Sequence, residues 1–215
     1  MPDLFIPRSL DFACGQDWGI NAPMVIVWAA LIGPSRIHIV HEWKQTGLSD
    51  EEIADGYHEH TKRLRVQVRY VAGDPTMFFR DGRNRARGQS RGESLVRAGM
   101  PLRPAVNDHE AGWARFHSWL RTGLDGEPCL TFDESCRYLR RTIPAARSDK
   151  VNADDMDRAG DIHGLDAVRY LLMSRPTPAI RHVDQPGPPP GSVGALVADL
   201  RARVGRHLLG AENVR

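Results

Sequence analysis

Nine uninterrupted apolar residues run from Met24 to Ile32. The run does not alternate, and it is far short of the ~20 residues a membrane-spanning helix needs. It therefore reads as a strand buried on both faces in the middle of a sheet. Its flanks constrain its neighbours. Leu10 to Asp17 precedes it as a first strand and ends in Gly-Gln-Asp-Trp-Gly at 15–19. Gly33-Pro34-Ser35 follows as a turn. Arg36 to Trp43 then alternates, with Ile37 and Ile39 on one face. Two short connections in succession predict an antiparallel meander of three strands.

The period then changes. Ser49 and Glu52 form a capping-box pattern, and a helix is expected from there to about Leu64. From Arg65 to Asp74, Val66, Val68 and Tyr70 alternate with Gln67, Arg69 and Val71, and Gly73-Asp74-Pro75 stops the strand. Strand, helix, strand predicts a right-handed crossover that returns parallel to the first strand. The expected class is therefore α/β, with a mixed sheet flanked by helices.

Further along, Arg80 to Gly92 reads as a loop rich in Arg, Gly, Asn and Ser, and Ser94 to Ala98 as a short helix. Leu102 to Val106 and Cys129 to Phe132 read as short strands. Asn107 or Asp108 caps a helix over Glu110 to Arg121, with Trp113, Phe116 and Leu120 on one stripe. Ser135 to Thr142 is helical. A longer helix, Asp154 to Ser174, turns apolar on nearly all sides after Gly160 and should be buried. Pro176, Pro178, Pro186, Pro188, Pro189 and Pro190 mark a stiff extended linker. The expected organisation is a tail or trimmed linker at 1–8, a domain at 9–176, a linker at 177–191 and a basic amphipathic helix at 192–215.

Composition removes several classes of protein. A chain of 215 residues can bury a core without staples. Cys14, Cys129 and Cys136 are too few and too scattered for a disulfide framework or a zinc site, and Cys14 and Cys136 read as core. No basic-then-apolar leader opens the chain, so a secretory signal is not expected. The formal net charge is only +2, and of 29 basic residues only Lys44, Lys62 and Lys150 are lysine. The distribution matters more than the sum. Arg80, Arg83, Arg85, Arg87, Arg91 and Arg97 are opposed over their length only by Asp81 and Glu93, a patch suited to a polyanion.

Two acids stand at the carboxyl ends of expected strands, Asp17 after the first and Asp74 after the fourth. Open α/β sheets gather their chemistry at that edge. If the two strands are parallel neighbours, the carboxylates converge. The late buried helix adds Asp161, His163 and Asp166 in Gly-Asp-Ile-His-Gly-Leu-Asp-Ala-Val-Arg-Tyr. Short carboxylates on rigid elements suit Mg²⁺ or Mn²⁺. Two such ions about 4 Å apart can activate water and stabilise a leaving oxygen in phosphodiester hydrolysis. A meander with Asp, a crossover helix, a strand with Asp and a late helix with Asp is the plan of ribonuclease-H-like nucleases.

Four segments carry a closer resemblance: Gly-Gln-Asp-Trp-Gly at 15–19, Ala-Gly-Asp-Pro at 72–75, Val-Asn-Asp-His-Glu-Ala-Gly at 106–112 and Asp-Ile-His-Gly-Leu-Asp-Ala-Val-Arg-Tyr at 161–170. Together, from about Leu10 to Pro176, the chain resembles the C-terminal nuclease domain of the tailed-phage terminase large subunit. The last segment is the most specific, because that family typically closes on an Asp-His-x-x-Asp-Ala-x-Arg-Tyr helix. The resemblance implies a ribonuclease-H-like fold, two divalent cations (Mg²⁺ or Mn²⁺) and endonucleolytic cutting of concatemeric double-stranded DNA. By position, Asp17, Asp74 and Asp166 match the metal-binding acids, and His163 matches a histidine beside them. Ile162 separates Asp161 from His163 where the family often has Asp-Asp-His, so whether Asp161 joins Asp166 stays open, with Asp166 ranked first. The resemblance also implies a terminase ATPase domain, a small terminase subunit and a portal protein as partners, in the cytoplasm of an infected bacterium and without membrane attachment.

No Gly-x-x-x-x-Gly-Lys-Ser/Thr pattern accompanies the three lysines, so no P-loop ATPase is expected in this chain. Asp3 to Ser9 reads as interdomain linker, which favours an excised domain over a separately encoded nuclease. The arginines at 80, 83, 85, 87 and 91 are the expected DNA contacts, through phosphates. Two other functions fit the same residues. One is a branched-DNA resolvase or RNA/DNA hybrid nuclease. The other is a DNA- or portal-docking module with negligible turnover.

Overall fold

The computed structural model describes residues 7, 9–19, 22–79, 89–147, 157 and 160–180. The apolar run forms the strand Met24–Ile32 (β2), with eight of its nine residues buried. It pairs antiparallel with Asp11–Asp17 (β1) on one side and Arg36–Gln45 (β3) on the other, giving the expected meander. Ser49 then caps the helix Asp50–Leu64 (α1), with both halves of the capping box formed. Arg65 ends that helix at φ 55° in the left-handed region, so the next strand begins at Val68 rather than Arg65. This strand, Val68–Gly73 (β4), lies parallel to β1.

Leu102–Pro104 (β5) adds parallel to β4, and Leu130–Phe132 (β6) adds parallel to β3. The six strands run in the order β5-β4-β1-β2-β3-β6, which puts β1 and β2 at the centre. The helices divide between the two faces. α1 and the short helix Arg91–Arg97 (α2) cover Cys14, Ile26, Trp28 and Val71. The helices His109–Trp119 (α3), Arg137–Ala145 (α4) and His163–Met173 (α5) cover Ala13, Val25, Val27 and Ile39. All three cysteines are buried and free. Among the described residues no helix is long and apolar enough to cross a membrane.

Other expectations shift, among them the start of α2, which begins at Arg91 rather than Ser94. On α3 the buried stripe is Trp113, Phe116 and Trp119, and Leu120 is 47% exposed because the helix stops at Trp119. The late helix begins at His163, so Asp161 and Ile162 precede it. The first residues of the segment expected as a stiff linker make contacts: Ile180 bridges to Gly123, and Ala179 N–H donates to Ser35 Oγ at 3.1 Å. The rest of that linker and the expected terminal helix lie outside the described residues, as do Arg80, Arg83, Arg85 and Arg87.

Candidate metal centre

Asp17 is the last residue of β1, and Asp74 directly follows β4. Their strands pair with Gln16 opposite Gly73, and the Asp74 N–H donates to the Gln16 carbonyl at 3.0 Å. Parallel pairing thus sets the two acids side by side, and both are buried. Asp74 caps the 3-10 turn Pro75–Phe78, accepting from the Thr76 N–H at 2.8 Å. Pro75 suits that position because a turn's first N–H has no internal partner to lose.

Helix α5 brings the third acid. It lies against β1 because residue 15 is glycine. A Cβ there would stand 2.9 Å from both the Ala167 carbonyl carbon and Leu171 Cβ, and would overlap the Ala167 carbonyl oxygen. This contact sets Asp166, the residue before Ala167, beside the strand ends. One turn earlier, His163 Nδ1 meets Asp17 Oδ2 at 2.8 Å. Asp166 Oδ1 accepts from Arg169 Nε at 2.9 Å and from its Nη2 at 2.7 Å.

The charges act on one another. Burial pushes the Asp17 carboxyl up to about 6; the His163 bond offsets part of this, and the charges of Asp166 and Asp74 add to it. His163 is raised by its bond to Asp17, against the opposing effect of burial. Burial also raises the Tyr170 hydroxyl, and Asp74, Asp166 and Asp17 all push the same way. Asp17, Asp74, Asp166, His163 and Tyr170 therefore share one field at the carboxyl ends of β1 and β4. Each of the three acids has one oxygen held by the protein. The second oxygen of each has no hydrogen-bond partner among the described residues.

Asp161 is engaged elsewhere. Its Oδ2 accepts from Lys44 Nζ at 2.6 Å and its Oδ1 from Tyr138 Oη at 2.6 Å. Burial raises its pKa, but these two bonds outweigh that and leave it lowered. The Tyr138 hydroxyl in turn accepts from the Gly164 N–H at 3.1 Å, tying the start of α5 to α4. Glu42 caps α4 itself, accepting from the Tyr138 and Leu139 N–H groups at 2.7 and 2.9 Å. Arg91, expected on DNA, pairs with Asp50 at 3.0 Å and lies over the Trp18 ring at 4.5 Å.

Lys44, Tyr138 and Glu42 carried no signal in the chain, because nothing local ties them to residue 161 or to α4. Arg169 did carry one: it stands three residues after Asp166 on a helix, the spacing of an ion pair.

Three carboxylates, each with one oxygen unpartnered among the described residues, are the kind of donor hard divalent cations take. Among the described residues no group of three His, Cys, Asp or Glu side chains is spaced to enclose a single ion.

No protein-family model and no curated protein sequence matches the chain. Solved structures do. A large terminase from a thermophilic bacteriophage superposes with a TM-score of 0.57 at 17% identity, over 79% of this chain and 41% of that one. The chain thus spans about two fifths of that terminase's length. The nuclease domain of the bacteriophage SPP1 large terminase, solved with bound Mn, gives 0.52 at 17% identity over 74% of this chain and 84% of that one. The nuclease domain of the bacteriophage P22 large terminase gives 0.53 at 14% identity over 80% and 84%. The antiparallel meander, the parallel return of β4 and the helix laid across β1 are therefore those of a ribonuclease-H-like domain, and the chain has the fold of the large-terminase nuclease domains.

Proposed function

We propose that this chain is a metal-dependent DNA endonuclease of the terminase type, cutting concatemeric DNA during genome packaging. The observation that carries this reading is the meeting of Asp17, Asp74 and Asp166, from three separate elements, in one field at the sheet edge. Asp17, Asp74 and Asp166 would hold two Mg²⁺ or Mn²⁺ ions. When bound, such a pair activates water and stabilises the leaving oxygen of a phosphodiester.

The chain's own side chains do the rest. Asp74 is fixed by Thr76, and His163 donates to Asp17 Oδ2, leaving Oδ1 for a cation. A histidine raised in pKa beside the acids can also hold or pass a proton at Nε2. Arginines at 80, 83, 85, 87 and 91 would supply phosphate contacts; Arg91 also pairs with Asp50 and lies over the Trp18 ring. An ATPase domain, a small terminase subunit and a portal belong to the same reading, as does action in the cytoplasm of an infected bacterium.

The test is cleavage of supercoiled plasmid with Mg²⁺ or Mn²⁺. The parent chain nicks and linearises it, while Asp17→Ala, Asp74→Ala and Asp166→Ala do not. Undiminished cutting by all three rejects the site. Faster cutting of four-way junctions or RNA/DNA hybrids than of duplex would move the substrate to the resolvase or hybrid-nuclease class. Metal binding with no nicking at high enzyme would leave a docking module.

A further inference from the structure

Two residues of the segment from Val106 to Gly112, Asn107 and Gly112, reach Arg169. Arg169 has no exposed surface, so its guanidinium must be paired inside the protein; Nε and Nη2 are, while Nη1 has no hydrogen-bond partner among the described residues. Its Nε and Nη2 both donate to Asp166 Oδ1, and Nη2 donates again to Asn107 Oδ1 at 3.0 Å. The Tyr170 hydroxyl reaches the same Asn107 oxygen at 3.5 Å. The guanidinium carbon lies 4.6 Å from the Tyr170 ring centre and 5.4 Å from that of Trp113. Gly112 makes room for the stem: a Cβ there would stand 2.8 Å from Arg169 Cδ and 3.0 Å from Cγ.

The form of the ion pair is informative. An arginine that serves only to bind a carboxylate gains most from a fork across both oxygens. Here both donors converge on Oδ1, and Oδ2 has no partner among the described residues. Asn107 holds the guanidinium in that pose, because Nη2 is shared between it and Asp166.

We propose that Asn107 and Arg169 are positioning residues for the metal centre: they clamp one oxygen of Asp166 so that the other is presented to a divalent cation. This rests on the nuclease reading, because it needs Asp166 to be a ligand. Asn107 is exposed, so removing its amide spares the core. Arg169→Lys keeps the charge but cannot serve both Asp166 and Asn107.

The experiment is calorimetric titration with Mn²⁺ of the parent chain, Asn107→Ala, Arg169→Lys and Asp17→Ala, with metal-free thermal unfolding of each alongside. The expected result is a rise in the Mn²⁺ dissociation constant of ~10- to 100-fold in Asn107→Ala and Arg169→Lys. Plasmid cutting by both should fall at limiting Mn²⁺ and largely recover as Mn²⁺ is raised. A purely structural role would lower the unfolding temperature and leave the metal constant in place. Should Arg169→Lys fail to fold, Asn107→Ala decides alone. A Mn²⁺ constant for Asn107→Ala within about twofold of the parent, with binding lost in Asp17→Ala, overturns the clamp and leaves the nuclease reading standing. A parent chain that binds Mn²⁺ no better than Asp17→Ala overturns both.

Discussion

Asp17→Asn should make the metal-free protein more stable, although it destroys the proposed site. The carboxyl is nearly isosteric with the amide, so the change is mostly one of charge. In the fold the Asp17 pKa is pushed up from 3.8 to about 6, chiefly by burial. At 1.36 kcal/mol per unit, ionising it inside the fold costs about 3 kcal/mol relative to the unfolded chain. The direction follows from the raised value. The stability tied to its protonation is fully present below pH 3.8 and is lost as pH rises through about 6.

At pH 8 the parent therefore bears the whole cost, and asparagine bears none. The shift to about 6 already includes the offsetting His163 bond, so the gain stays about 3 kcal/mol. His163 is held above its ordinary 6.5 by that same bond and stabilises the parent only at lower pH, which makes pH 8 the clean comparison. For a domain of this size the gain is worth ~2–4 °C per kcal/mol in unfolding temperature. The assay is thermal unfolding by circular dichroism in a chelator, from pH 4 to 8. The variant should unfold higher at pH 8, with the gap closing toward pH 4. Added Mn²⁺ should raise the parent and not the variant, because only the parent's folded state binds it. A variant less stable than the parent at pH 8, or a gap that ignores pH, refutes the argument.

Two other substitutions probe what places the acids. Gly15→Ala drives a Cβ into the Ala167 carbonyl, backbone against backbone, and should cost about 3 kcal/mol or more in urea unfolding; an unmoved midpoint would show that α5 does not rest on β1. Tyr138→Phe removes the hydroxyl that joins Asp161 Oδ1 to the Gly164 N–H and should cost about 1–3 kcal/mol, with plasmid cutting reduced less than in Asp17→Ala. An unchanged unfolding temperature for Tyr138→Phe would remove Tyr138 from the account.

The meander, the capped crossover helix and the parallel strand ending at Asp74 were legible in the chain because each is written locally. A run of nine apolar residues, a Ser-x-x-Glu box and a Gly-Asp-Pro stop each need only their neighbours to act. Asp17 and Asp74 were legible for the same reason, since each marks the end of a strand whose type could be read. The start of the last helix was not legible. Its residues favour a helix from Asp154, but Lys44 and Tyr138 hold Asp161 from two other elements and the helix begins at His163.

The same division runs through the site. Local pattern alone carried the three-strand meander, the Ser49 cap and the strand ends at which Asp17 and Asp74 stand, because backbone propensity and side-chain period act over a few residues. Which acid faces the others, and which is bound elsewhere, depended on contacts across long stretches of chain: His163 on Asp17, Lys44 on Asp161, and Asn107 on the arginine that grips Asp166. Those contacts exist only once β1, β4 and α5 have packed, and that packing depends on a missing Cβ at Gly15 whose importance appears only when a helix comes to lie against it.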